Sequence, residues 1–207
     1  MIDKFCEYLT NKIRKKMPEV DDNRAEVILY GIQLFIGEMP KLVAMLVIAT
    51  FTGVLPETLL AFLLLLPYKM VSGGVHLNTH IGCFIATNLV YCGNAILSKY
   101  LTLPYEIKIL FIVLNSILGI IMITKYAPAD TVNVPILRKK ERQQKKILSY
   151  IFLCINMMIA LFIPLKTISN IFIFGTLIQT LSITRLAYRL AKNEYGYETY
   201  IKQNSEA

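Results

Sequence analysis

The chain has 207 residues, 55% of them apolar, with a formal net charge of +8 and a mean hydropathy of +0.52. That hydropathy excludes an ordinary soluble domain, and apolar runs from about residue 27 to about residue 190 indicate one integral membrane unit with no separate soluble domain. The positive charge does not point to nucleic acid, because its clusters at 4–24, 138–146 and 185–202 each abut an apolar run, as topology signals do.

The opening residues do not read as a secretory signal, since Lys4, Lys12, Arg14, Lys15 and Lys16 interrupt them. Ile2, Phe5, Leu9, Ile13 and Met17 recur at helical spacing, so residues 1–24 are expected to form an amphipathic helix whose basic face meets anionic lipid. A spanning helix is expected over 24–54 with a bend at Pro40, then an outer turn at Leu55-Pro56-Glu57 and a leucine-rich return over 57–71. Each arm around these prolines is short for a full span, which leaves a re-entrant pair as the alternative. Further helices are expected over 77–98 and 104–125. Residues 126–146 are expected as a cytoplasmic loop ending in the basic run Arg138-Lys139-Lys140-Glu141-Arg142-Gln143-Gln144-Lys145-Lys146. A last hairpin over 147–163 and 168–187 precedes a cytoplasmic tail, 188–207.

The expected fold class is therefore all-α. It is a polytopic membrane helical bundle of about six membrane segments, forming a single domain over 1–207, with an amphipathic N-terminal helix. With six full spans, or with four and a re-entrant pair, both termini and all three basic clusters fall on the cytoplasmic side. Gly73-Gly74-Val75-His76 falls there too.

Chemistry is concentrated in one stretch. The two histidines of the chain, His76 and His80, both lie close before Cys83. A neighbouring imidazole can take the proton of a thiol or, as imidazolium, stabilise the thiolate, which is the species that attacks a peptide carbonyl. His76 and Cys83 share a face on a regular helix, but seven residues rise about 10 Å, so the two meet only if His76 lies on a pre-helical turn and folds back, or if the helix is distorted. His80, three residues before Cys83, is better placed on a regular helix. Gly73 and Gly74 permit positive φ and the close approach of another chain. The other cysteines, Cys6, Cys92 and Cys154, are read as free thiols, the last two in apolar runs. Arg138, Lys139, Lys140 and Arg142 are candidates for docking an acidic peptide.

These residues resemble the AgrB family, the accessory gene regulator B peptidases of Gram-positive bacteria. The family pattern is a basic residue, Gly-Gly-x-His, and a cysteine seven positions after the histidine; here it reads Lys69, Gly73-Gly74-Val75-His76 and Cys83. Tyr30-Gly31 and the stretch Ala127-Pro128-Ala129-Asp130-Thr131-Val132-Asn133-Val134-Pro135 also look like the family. The chain departs from it at Lys69-Met70, where the family usually has an arginine pair, and at Leu77, often alanine. A lysine cannot form the bidentate fork of an arginine.

The resemblance implies a bacterial cell-membrane protein that cleaves a small AgrD-like propeptide and retains its core as a thioester on the cysteine. An internal Cys or Ser of the core then closes a thiolactone or lactone quorum-sensing peptide. By this carry-over Cys83 is the nucleophile, His76 the general base and acid with His80 the runner-up, and Lys69, Gly73 and Gly74 face the substrate. No cofactor is implied; the partners are the propeptide, membrane lipids and a second copy of the chain as a homodimer. Nothing in the sequence identifies a third catalytic residue; Asn78, nearest in sequence, and Asp130, on the same expected side, are the candidates, and backbone N–H groups near Cys83 or of the Gly-Gly turn those for the oxyanion.

Two other classes compete. A small transporter or channel would use Glu38, Lys41 and the broken first hairpin as path elements. A metal-binding membrane protein would use His76, His80 and Cys83, with a fourth ligand from Asp130 or Glu38.

Overall fold

The computed structural model describes residues 2–17, 19–77, 79–132 and 134–205, without the side chains of Ile2, Asp3, Asn23, Leu34 and His80. Asn78 lies outside the described residues. The described residues form helices α1 (Ile2–Lys16), α2 (Asp22–Phe51), α3 (Leu55–Ser72), α4 (His80–Tyr100), α5 (Tyr105–Tyr126), α6 (Lys139–Phe162), α7 (Lys166–Ser182), α8 (Arg185–Leu190) and α9 (Gly196–Ser205). Among them there is no strand, only isolated bridges at Gly73–Ala129, Thr131–Val134 and Thr131–Tyr195. The chain divides into two compact units, Met1–Val47 and Ile48–Ala207.

In the first unit α1 carries Arg14, Lys15 and Lys16 in its last turn, where they complement the helix dipole. Asp21 caps α2, its Oδ1 accepting from the Arg24 N–H at 2.8 Å. α2 continues as a helix through Pro40. Lys41 is buried and donates to Glu38 Oε1 at 2.5 Å, an i,i+3 pair that offsets both charges within an apolar helix.

In the second unit α7 is the central helix, packed against α3, α4, α5 and α6. It is buried on every side over Ser169–Thr176, as an all-round apolar helix must be. Its neighbours hold it with side-chain amides. Asn94 Nδ2 of α4 donates to Ile171 O (3.2 Å), Asn115 Nδ2 of α5 to Ile173 O (2.8 Å) and Asn156 Nδ2 of α6 to Thr176 Oγ1 (3.2 Å). Tyr68 of α3 shares a bond with Thr180 at 3.1 Å. Lipid tails offer apolar groups no reason to leave them, so polar contacts and close packing of small residues hold such a bundle together. Gly175 is the close-packing point, since a Cβ there would run into Leu65 and the Asn94 amide.

The outer surface is the inverse. α5 buries Ile112, Asn115, Gly119 and Ile123 along one stripe and exposes Leu110, Val113, Leu114, Ile117, Ile120 and Ile121. A helix that turns its amide inward and its leucines and isoleucines outward is built for lipid. Among the described residues, five helices are long and apolar enough to cross a membrane: Arg24–Phe51, Leu55–Ser72, Ile81–Tyr100, Tyr105–Tyr126 and Lys139–Phe162. α7, expected as the sixth crossing, has 17 residues. The protein is an all-helical membrane bundle.

Several boundaries differ from expectation: α1 ends at Lys16 rather than 24, α3 begins at Leu55 where an outer turn was expected, and α7 ends at Ser182 rather than 187. α4 begins at His80 rather than at 77, because Thr79 caps it, its Oγ1 accepting from the Gly82 N–H at 3.1 Å. α6 begins at Lys139 rather than 147, so most of the basic run is helical. Lys, Arg, Gln and Glu are good helix formers whatever their hydropathy. The tail contains α8 and α9, fastened to the bundle by two tyrosines. Tyr188 Oη donates to Asp130 O (3.1 Å), Tyr195 Oη donates to Ile183 O (2.8 Å), and their rings stack at 4.0 Å. Burial pushes both phenols well above the ordinary tyrosine range, with Tyr195 and Asp130 adding to the shift at Tyr188.

Candidate active site

The site is built from the end of α3 upward. α3 closes with Gly73, whose N–H donates to Lys69 O at 3.0 Å. Gly73 (φ 75°) and Gly74 (φ 137°) both adopt backbone conformations that side chains rarely allow. Neither could carry a Cβ for a second reason: at Gly73 it would collide with the Ala129 backbone and at Gly74 with Ser182 Oγ. The pair lets the loop after α5 lie directly against the chain, with Gly74 N–H donating to Ala129 O and Ala129 N–H to Ser72 O, each at 2.9 Å. The close approach expected at these glycines is thus made by the chain's own loop. Both glycine N–H groups are spent inside the protein, which removes them as oxyanion donors. Gln179 of α7 completes the turn, its Nε2 donating to Gly73 O (2.6 Å) and Ser72 Oγ (2.9 Å).

From this turn residues 74–77 run on outside any helix. Successive N–H groups bond to three different segments: Gly74 to Ala129 O, Val75 to Ser182 O at 3.2 Å and His76 to Asn193 Oδ1 at 3.0 Å. His76 therefore lies ahead of α4 and not on it. Its side chain is exposed and lines an open pocket of ≈ 510 Å³ with Leu77, Thr131, Val132, Lys192, Asn193 and Glu194.

Cys83 is half-buried in the first turn of α4, its N–H donating to Thr79 O at 2.9 Å. Helical side chains tilt toward the helix N-terminus, so the thiol leans over the turn that begins at His80. The partial positive charge of a helix N-terminus favours an anion there. The side chain of His80 lies outside the described residues, and so does Asn78.

The remaining candidates separate into two groups. Asp130 is buried, and its carboxylate is committed to Arg142 (Nη1–Oδ2 3.0 Å) and to the Ile136 N–H (2.8 Å). Arg142 also donates to Ile136 O and Pro128 O and lies 4.1 Å over the Tyr197 ring. This pair fastens the loop to α6, so Arg142 is occupied where the sequence suggested a free docking cation. Lys145 pairs with Glu141 and Lys146 donates to Thr124 O. Arg138, Lys139 and Lys140, at the start of α6, are exposed. Lys69 is half-buried in the last turn of α3, directly before the glycines. Lys192, Asn193 and Glu194 were missed: they lie more than a hundred residues from His76, and no local spacing links the two segments.

Comparison with known proteins gives a consistent result. The family model for accessory gene regulator B matches residues 6–183. An AgrB-like protein of Listeria innocua serovar 6a is 28% identical over 96% of this chain and 94% of its own length. One from Clostridium acetobutylicum is 25% identical over 99% and 97%. The accessory gene regulator protein B of Staphylococcus aureus is 23% identical over 88% and 91%. No solved structure matches the chain.

Proposed function

Because the chain belongs to the AgrB family, accessory gene regulator B, we propose that it is a membrane-embedded cysteine endopeptidase and cyclase acting on an AgrD-like propeptide in an agr quorum-sensing system. The observation that carries this reading is local: Cys83 is in the first turn of α4, and His76 lies ahead of that helix and not on it.

In this reading His76 accepts the Cys83 thiol proton, and the thiolate attacks the carbonyl carbon of the scissile peptide bond. The N–H groups of His80 and Ile81, which a helix leaves without an internal partner, are the proposed donors to the oxyanion. The imidazolium returns its proton to the departing amine, leaving the core as a thioester on Cys83. A Cys or Ser of the core then attacks that thioester, its proton passing to His76 and on to the Cys83 thiolate as it leaves. The ring closes and the free thiol is restored. Arg138, Lys139 and Lys140 are the proposed docking charges for the propeptide, with Lys69 beside the turn and the site on the cytoplasmic face.

The variants Cys83→Ala, His76→Ala and His80→Ala, assayed for propeptide cleavage in membranes, test the assignment. Cys83→Ala is expected to be inactive and His76→Ala to lose about 100-fold or more, the scale of a general base. Full cleavage by Cys83→Ala overturns the nucleophile. An active His76→Ala beside a dead His80→Ala reassigns the base.

A further inference from the structure

We propose that Asn193 is a positioning residue for His76, and that the C-terminal turn Ala191–Glu194 therefore completes the active site. This rests on the assignment of His76 as the base. The matched family model ends at residue 183, so this turn lies outside the part of the chain it describes.

Of the three N–H bonds that fix Gly74, Val75 and His76, the first two go to backbone carbonyls, of Ala129 and Ser182, which any sequence supplies. The third, on the histidine itself, goes to a side chain, Asn193 Oδ1. It is the one clamp of the three that depends on residue identity, and it is nearest the imidazole.

The turn that delivers Asn193 is built for that purpose at a conformational cost. α8 ends in a paired closure, with Lys192 N–H donating to Arg189 O (3.1 Å) and Asn193 N–H to Tyr188 O (2.9 Å). Such a closure places one residue in the left-handed region, usually glycine. Here it is Lys192, at φ 53°. Asn193 is further set by its own amide, Nδ2 donating to Ala191 O at 3.1 Å. The turn is tied to the bundle through Tyr188 and Tyr195, so its position is inherited from α7 and the Asp130 loop. Lys192, Asn193 and Glu194 then form the wall of the His76 pocket facing Thr131 and Val132.

The test uses the full-length protein in membranes or detergent, with wild type, Cys83→Ala and His76→Ala run alongside. Asn193→Leu keeps the bulk and removes the acceptor; Asn193→Asp keeps an oxygen in its place. Lys192→Ile, a β-branched residue where φ is positive, disturbs the delivery of Asn193 without changing it. Asn193→Leu and Lys192→Ile are expected to lower kcat about 10–100-fold with KM within twofold, the effect of a misplaced catalytic group. Asn193→Asp is expected to recover kcat to within about threefold. Thermal unfolding of the same preparations identifies any variant that has lost its fold, and the kcat and KM comparison then rests on those that keep it. Wild-type kcat in a folded Asn193→Leu, or a loss that appears only in KM, overturns the positioning role. If wild type cleaves, Cys83→Ala does not and His76→Ala loses about 100-fold, that outcome falls on Asn193 alone. If Cys83→Ala or His76→Ala cleaves as wild type does, the catalytic assignment itself has failed.

Discussion

At the scale of the residue, Arg142 and Asp130 show why charge alone is a poor guide to role. Both stand out in the sequence, one within a basic run and one in a polar loop, and both invite a functional reading. Their geometry is that of a brace: a carboxylate only 1% exposed, held by a guanidinium that also bonds two backbone carbonyls. Removing the cation leaves an uncompensated buried charge. Arg142→Gln is therefore expected to destabilise the protein by about 3 kcal/mol, as broken buried pairs do. Lys139→Gln, on an exposed side chain, is expected to change stability by less than about 0.5 kcal/mol. Thermal unfolding in detergent measures both, and equal effects would contradict the brace.

At the scale of the element, the bundle depends on how closely helices approach α7. Gly175 has no space for a methyl group, whereas Gly93 of α4 has nothing within 4 Å of where a Cβ would sit. Gly175→Ala is expected to cost about 1–3 kcal/mol by overpacking, and Gly93→Ala to cost nothing measurable. Unfolding in the same detergent distinguishes them, and a tolerated Gly175→Ala would mean that α7 is not the packing centre. The existence of α2 to α7 was legible in the sequence, because apolar runs of spanning length can do little else. Their ends were less so. The start of α6 was hidden because Lys139–Lys146 look polar by hydropathy while being good helix formers. The start of α4 depended on a single cap, Thr79, set in the polar stretch Asn78-Thr79-His80 between Leu77 and Ile81. α8 and α9 are short and held by tertiary contacts such as Tyr188 to Asp130, which no periodicity announces.

At the scale of the whole molecule, the candidate chemistry was legible as a cluster, Gly73, Gly74, His76 and Cys83, because reactive residue types are few in this chain and fall together. What surrounds the cluster was not legible: Ala129, Ser182 and Asn193 reach it from three distant segments. With Arg142, Lys145 and Lys146 engaged internally, the proposed docking of the propeptide falls to Arg138, Lys139 and Lys140. Each contributes roughly 1 kcal/mol toward an anionic partner near the membrane, within a Debye length of about 8 Å. Replacing the three with Gln is expected to raise KM for an acidic propeptide and flatten its salt dependence, with kcat nearly unchanged. Correctly inserted triple variant with unaltered KM and salt response would remove the docking role.

The central claim is that Cys83 carries the propeptide core as an acyl group. The most direct measurement is intact-protein mass spectrometry of the enzyme trapped with a propeptide whose internal ring-closing nucleophile has been replaced by alanine. The account expects an adduct of the mass of the core, mapped to Cys83, released by hydroxylamine and absent from Cys83→Ala. Cleavage of that propeptide with no adduct on Cys83, or an adduct that persists in Cys83→Ala, would contradict it.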